Sequence, residues 1–248
     1  MKRPGTLRKK RKMSLTAFEL GLLEEKFEGE DLKNAVSRAE SGEPLQYVLG
    51  EWYFRRGVFE VGPDCLIPRQ ETELVAEKAI ELLPAGGRLA DLCTGSGCIA
   101  VSVLQERPDC TALAVDISER ALRIAVRNAA GNGVDGRVRF KKGDVLAPGC
   151  LGDEKFDVIV ANPPYVRSEV IDTLPAQVRA EPRIALDGGP DGLLFYRGII
   201  KNYERNVADG GYMVFEIGYD QRKALEDLGF TVYDDYSGNP RIAVKHAR

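Results

Sequence analysis

Between Arg88 and Ala161 the chain alternates short apolar runs with helix-patterned stretches: Arg88 to Leu92, helix Gly97 to Glu106, Thr111 to Asp116, helix Glu119 to Asn132, Val138 to Lys142, and Phe156 to Ala161. Short strands that are apolar throughout are buried on both faces, and their alternation with helices makes βαβ units and a parallel sheet. This is the pattern that most narrows the possible folds, because parallel strands all end on one edge, where open α/β sheets bind ligands. Beyond a polar stretch the pattern predicts helix Leu193 to Val207, strand Gly211 to Glu216, helix Gln221 to Leu228, and strands Phe230 to Asp234 and Arg241 to Lys245. The last two pair antiparallel through Ser237 and Gly238. An α/β fold is expected.

Upstream, Leu15, Phe18, Leu22, Phe27, Leu32 and Val36 recur at helical spacing among charges, which predicts two short helices between Ser14 and Ser41. Gly42 to Pro44 breaks the pattern. Gln46 to Val61 then alternates aromatic and polar residues as a hairpin does, and Glu71 to Leu83 reads as a helix. The expected division is a basic, disordered arm over 1–13, a short helical region over 14–45, a hairpin linker over 46–68 and the main α/β domain over 69–248. Lys2, Arg3, Arg8, Lys9, Lys10, Arg11 and Lys12 all precede the first acid, Glu19. Such a run is a solvated tail, or an arm that touches RNA or the ribosome through phosphates. With a net charge of -3, the rest of the chain is more acidic than the total suggests. The five cysteines form no CxxC pair, which fits a reduced, cytoplasmic protein. No run of about 18 apolar residues is present, so no membrane span is expected. The only histidine, His246, sits at the C-terminal end, so neither a histidine base nor a histidine-rich metal site is expected.

Strand one runs through Asp91 into Cys93-Thr94-Gly95-Ser96-Gly97 and directly into a helix, and its glycines let backbone approach a ligand. The next strand ends at Asp116, 25 positions after Asp91, where a carboxylate can accept from both hydroxyls of an adenosine ribose. Asp144 stands where the third strand tip meets an adenine amine, unless it is an ordinary loop aspartate. These features indicate a nucleoside cofactor without saying which, and a hydride-transfer enzyme fits them too. The fourth strand ends in Asn162-Pro163-Pro164-Tyr165. Consecutive prolines hold the backbone rigid. The Asn162 side-chain oxygen and the Pro163 carbonyl can together accept both hydrogens of an NH2 group, while Tyr165 stacks on the planar group or walls off water. An amide nitrogen is a poor nucleophile with a delocalised lone pair, so two fixed acceptors suit methyl transfer to it.

Asn162-Pro163-Pro164-Tyr165 after strand four resembles the signature of class I methyltransferases acting on planar NH2 groups. Gln46 to Gly50, Leu66 to Glu73, Glu181 to Leu193 and Glu216 to Gly218, in that order, resemble the peptide chain release factor glutamine methyltransferases. The resemblance implies a Rossmann-like, seven-stranded, mostly parallel sheet with helices on both faces, behind a small helical region shorter than the family's usual N-terminal domain. It implies S-adenosyl-L-methionine as donor, S-adenosyl-L-homocysteine as product, no metal, and the glutamine of the Gly-Gly-Gln loop in class 1 release factors as substrate. Carried over by position, Cys93, Thr94, Gly95, Ser96, Gly97, Asp116, Ile117, Asp144, Val145 and Asn162 line the cofactor. Asn162, Pro163, Pro164 and Tyr165, with Arg69 and Glu181, meet the substrate. Cys93 replaces the first glycine of many relatives, which is tolerable where that backbone needs no positive φ. Arg69 is expected to pair with a carboxylate, and Glu71 or Thr72 to cap the following helix. Three rivals remain: a ribosomal-protein glutamine methyltransferase with nearly the same motifs, a DNA or RNA amino-methyltransferase with a more basic face, and a non-catalytic scaffold, which has no need of Asn162 or Asp116.

Overall fold

The computed structural model describes residues 14–247, and the basic run Lys2 to Lys12 lies outside the described residues. Helices α1 (Ala17–Lys26) and α2 (Gly29–Glu40) open the described chain. Thr16 and Glu19 start α1 with a reciprocal capping box. The hairpin expected over Gln46 to Val61 begins later than predicted: Leu45–Leu49 forms α3, closed by Gly50 at φ 75°, and only β1 (Glu51–Phe54) and β2 (Gly57–Glu60) pair. Leu45, Val48 and Leu49 pack with Leu23, Ala35 and Ala39, while the Tyr47 hydroxyl donates to the Cys65 carbonyl at 2.6 Å. One turn of helix buries that many neighbouring side chains, whereas a strand would have turned every second one to water.

The main body follows as α4 (Gln70–Leu82), β3 (Arg88–Leu92), α5 (Cys98–Glu106), β4 (Thr111–Asp116), α6 (Glu119–Gly131), β5 (Val138–Lys142), β6 (Phe156–Ala161), α7 (Ala176–Arg179), α8 (Leu194–Tyr203), β7 (Val207–Glu216), α9 (Arg222–Asp227), β8 (Thr231–Asp234) and β9 (Pro240–His246). The predicted helix to Val207 stops at Tyr203, and β7 starts four residues before the expected Gly211. Asn206 ends the helical path there, its Nδ2 donating to the Gly152 and Glu154 carbonyls. Gly211 then lets β7 close on β6, since a Cβ at that position would lie 2.7 Å from the Asp157 carbonyl oxygen.

Seven strands form one sheet in the order β5-β4-β3-β6-β7-β9-β8, parallel except where β9 runs against β7 and β8. Its two faces are covered separately. Leu89, Ala112, Ala114, Val158 and Val160 pack with α4 and α5 residues such as Val75, Ala79, Val101 and Leu104. Ala90, Leu113, Val115, Ile159 and Phe215 pack with Tyr196, Ile199 and Tyr203 of α8 and Leu225 of α9. The period-two assignment of strand residues to opposite faces follows from the pleat. Chain order reverses between β3 and β6, so the loops that follow these two neighbours diverge and leave a crevice.

Asp91, near the end of β3, is fully buried. Its Oδ2 accepts from Thr94 Oγ1 at 2.5 Å and from the Ala100 amide at 3.2 Å, while Oδ1 has no hydrogen-bond partner. Burial pushes this carboxyl up to about 7, against the pull of those two donors. The folded protein therefore holds a proton that the unfolded chain has already lost, so the stability Asp91 contributes is present at low pH and is lost as pH rises toward its folded value. Measured by urea unfolding, wild type should lose about 2 to 3 kcal/mol relative to Asp91→Asn between about pH 5 and pH 8. A difference between the two proteins that stays constant with pH would contradict it.

Candidate functional site

The loops after β3, β4, β5 and β6 open on one cleft at the C-terminal edge of the sheet. Of the residues singled out by the sequence, Cys93, Thr94, Gly95 and Ser96 line it from the β3 loop, Asp116 and Ile117 from β4, Asp144 and Val145 from β5, and Asn162 and Pro164 from β6. Arg69 lines it from the start of α4. Gly97, Pro163, Tyr165 and Glu181 do not.

Each of these four has a local reason. Gly97 is at φ 82°, and a Cβ there would meet the Ala125 Cβ at 3.1 Å, so this glycine lets α5 lie close against α6. Pro163 is buried. The Tyr165 hydroxyl turns inward to Glu216 Oε1 at 3.2 Å and its ring packs against the core, which differs from the stacking or water-excluding wall expected of it. Glu181 is only 4% exposed, accepting from the Ile67 amide at 2.9 Å and from the Arg69 guanidinium. It therefore straps the Cys65 to Arg69 segment across the cleft mouth, and does not line the cleft where it was expected to meet the substrate.

Two expectations about local conformation fail. Cys93 sits at φ 62°, in the left-handed region that its place in the motif was expected to avoid. For a residue with a side chain this conformation costs about 1 to 2 kcal/mol. Its side chain in return packs against the cluster holding Leu92, Val115 and Cys150. At α4, Arg69 is the N-cap and no side chain caps the helix; Thr72 is 2% exposed and faces the sheet, where its hydroxyl meets Glu216.

Asp116 joins the loops. Its Oδ2 accepts from the Gly95 amide at 2.9 Å and its Oδ1 from the Ser118 amide at 2.8 Å. Burial raises its carboxyl above the usual range, against those backbone donors. A carboxylate has about four acceptor positions, so two remain for a ligand in the cleft. Gly95 is at φ 56°, and a Cβ there would meet no atom within 4 Å, so the glycine answers to backbone conformation and to open space. Asp144 Oδ1 accepts from the Leu146 amide at 2.8 Å, which makes it a turn residue as well as a cleft residue.

Behind the fourth strand lies a polar cluster built around Glu216 and Gln221, to which sequence reasoning gave no role. Asn162 Nδ2 donates to Thr72 Oγ1 at 3.2 Å, and Thr72 Oγ1 donates to Glu216 Oε2 at 2.5 Å. Gln221, 6% exposed, donates from Nε2 to the Tyr165 carbonyl at 3.2 Å and the Gly192 carbonyl at 3.0 Å, and accepts at Oε1 from the Gly218 amide at 2.8 Å. A lone acid ending the apolar run Met213-Val214-Phe215 was the available signal for Glu216. Phe195, which also lines the cleft, carries no comparable signal.

The methyltransferase small domain family matches residues 70–180. Over 224 residues the chain is 42% identical to the release factor glutamine methyltransferase of Moorella thermoacetica, covering 86% of this chain and 78% of that protein. This chain belongs to the release factor glutamine methyltransferase family. As a member of that family it is also 38% identical over 202 residues to the ribosomal protein uL3 glutamine methyltransferase of Bradyrhizobium diazoefficiens, covering 77% and 63%. The catalytic domain of hMettl16, solved in complex with the MAT2A 3′UTR hairpin 1, shares the fold at a TM-score of 0.62 and 15% identity, covering 95% of each chain. The seven-stranded sheet of the main body is a class I methyltransferase sheet.

The glycine-rich stretch Asp187 to Gly192 is packed onto the Asn162 to Tyr165 loop. A Cβ on Gly188 would lie 2.6 Å from the Tyr165 Cα and 2.8 Å from the Pro164 carbonyl oxygen, both backbone atoms. Gly188→Ala must therefore shift the loop, at about 1 to 3 kcal/mol in stability. Methyl-transfer turnover should fall as well; unfolding midpoints and initial rates test both, and an unchanged turnover would show that the loop absorbs the methyl group elsewhere.

Proposed function

We propose that this chain methylates the side-chain amide nitrogen of the glutamine in the Gly-Gly-Gln loop of class 1 peptide chain release factors, using S-adenosyl-L-methionine. The observation that carries this reading is the Asn162 side chain, whose NH2 is occupied by Thr72 and whose oxygen is left for a donor in the cleft. S-adenosyl-L-methionine, when bound, supplies an electrophilic methyl group on a sulfonium centre. Asp116 would hold its ribose with the acceptor positions left over from Gly95 and Ser118, and Ile117, Val145 and Phe195 would flank its base, with Asp144 at the edge. The donor set fits: buried carboxylates suit a cationic ligand, because a nearby positive charge offsets part of the cost of desolvating them.

Asn162 Oδ1 accepts one hydrogen of the glutamine NH2, turning the nitrogen toward the methyl group. As bonding to carbon develops, positive charge grows on that nitrogen and this hydrogen bond strengthens, so the acceptor stabilises the transition state more than the ground state. No base needs to remove a proton beforehand; the methylated nitrogen is acidic enough to pass its proton to solvent as the product leaves. Pro164 shields the site from water, and Arg69, tied to Glu181, would border the incoming loop.

The relatives' names support release factors first and a ribosomal protein second. A release factor substrate requires a cytoplasmic enzyme, and no helix among the described residues is long and apolar enough to cross a membrane. The basic arm would add at most a weak RNA or ribosome contact. Incubation with labelled donor and each purified candidate, the modified residue located by mass spectrometry, tests the assignment. Label on uL3 and none on the release factor would reverse it.

Asp116→Ala should weaken donor binding by about 1.5 to 3 kcal/mol, the worth of hydrogen bonds to a charged group, and calorimetry that finds donor affinity unchanged would remove the ribose assignment. Asn162→Ala should lower turnover by about 10² or more with donor affinity largely kept, since one preorganised acceptor is worth roughly 2.7 to 4 kcal/mol. Asn162→Asp should also be slow while binding donor as well or better; full turnover by either variant would leave the nitrogen chemistry without its main support.

A further inference from the structure

The outline of an asparagine side chain is the same whether its oxygen or its NH2 leads, so shape by itself does not decide which end of Asn162 faces the cleft. The groups behind it do. Asn162 meets Thr72 Oγ1 at 3.2 Å, Thr72 Oγ1 meets Glu216 Oε2 at 2.5 Å, and the Tyr165 hydroxyl meets Glu216 Oε1 at 3.2 Å. Thr72 and Glu216 are 2% and 1% exposed, and they reach one another from α4 and the last residue of β7. Little of either side chain is open to water, although Thr72 also borders the cleft.

As a carboxylate Glu216 can only accept, so both hydroxyls must turn their protons toward it. Burial raises its carboxyl above the usual range, against Thr72, Arg241 and Tyr165, which favour the charge. A threonine hydroxyl has one proton. Once it is committed to Glu216, the Thr72 oxygen offers Asn162 lone pairs alone, and only the NH2 end of the amide can meet them. Turned the other way, Asn162 would set its oxygen against those lone pairs and its NH2 against the hydrogens of a substrate amide. Both contacts would be repulsive.

We propose that Glu216 and Thr72 are positioning residues for methyl transfer, a one-way hydrogen-bond relay that holds Asn162 with its oxygen toward the cleft. The kinetic consequence rests on the glutamine reading above; the orientation of Asn162 does not. Tyr165 takes part by occupying the second carboxylate oxygen, which keeps Glu216 from turning away from Thr72. The relay accounts for an otherwise costly arrangement, a carboxylate buried at the end of an apolar strand with no guanidinium or ammonium bonded to it among the described residues.

The test uses the full chain and the variants Thr72→Val, Thr72→Ser, Asn162→Ala and Thr72→Val/Asn162→Ala. Exchange of the Asn162 side-chain amide protons with solvent, followed by NMR without donor or substrate, should be slow in wild type and in Thr72→Ser, and faster by roughly tenfold or more in Thr72→Val. Free exchange in wild type, or equal exchange in wild type and Thr72→Val, overturns the relay. With release factor as substrate, kcat should fall by about tenfold or more in Thr72→Val at unchanged donor affinity, and Thr72→Ser should recover most of it. In the Asn162→Ala background Thr72→Val should cost nothing further. A full, additive loss there assigns Thr72 a role in packing only and overturns the proposal. A wild type that protects the Asn162 amide yet leaves the release factor unmodified rejects the substrate reading while the relay stands.

Discussion

Parallel strands deliver every following loop to the same edge, and here the chain leaves β3 toward β4 while it arrives at the adjacent β6 from the opposite side of the sheet. The two loops must part, and the gap between them cannot be filled by either without breaking its own strand-to-helix connection. Everything functional in the chain depends on this constraint. The β3 loop brings backbone amides and Asp116 partners to one wall, and the β6 loop brings Asn162 to the other. Residues 65–69 and 181–185 form the rim, held together by the Glu181 contacts to Ile67 and Arg69. Without the reversal of strand order these pieces would lie on a flat edge with no common space.

Three carboxylates sit under that gap, Asp91, Asp116 and Glu216, and burial raises all three. They are stabilised chiefly by backbone amides and hydroxyls, with Arg241 acting on Glu216 from a distance. Such a base of the cleft is costly in the free protein and favours a cation above it. In the reaction proposed above, a sulfonium donor has that charge and its neutral product lacks it, so this arrangement would favour donor binding and help release the product. The polar contacts also tie distant parts of the chain together: Thr72 with Glu216, and Gln221 with Tyr165 and Gly192.

Much of this was legible in one dimension. The sheet could be read because most strands are short apolar runs and most helices of the main body carry their own periodicity; β3, β4, β5 and β6 fall where they were expected. The α3 turn and the early start of β7 could not be read in the same way. Leu45 to Leu49 is helical because it closes a small core with Leu23 and Ala39, and β7 starts at Val207 because Asn206 caps carbonyls more than fifty positions away. In both cases a long-range contact outweighs the local pattern.

The sequence by itself determined the chemistry on offer: glycines after the first strand of the sheet, an aspartate at the end of the second, Asn162-Pro163-Pro164-Tyr165 after the fourth, and parallel strands that put all of them on one edge. These are local facts, since strand period and loop position are encoded within a few residues of the groups they deliver. Which way those groups point was decided only by the tertiary structure. Tyr165 turned inward, Glu181 became a strap, Cys93 accepted a left-handed backbone, and Thr72 left the helix cap for Glu216, 144 positions along the chain. A polar side chain buried in a folded core must satisfy its hydrogen bonds with whatever the sheet brings near, and that set of neighbours does not exist until the strands have paired.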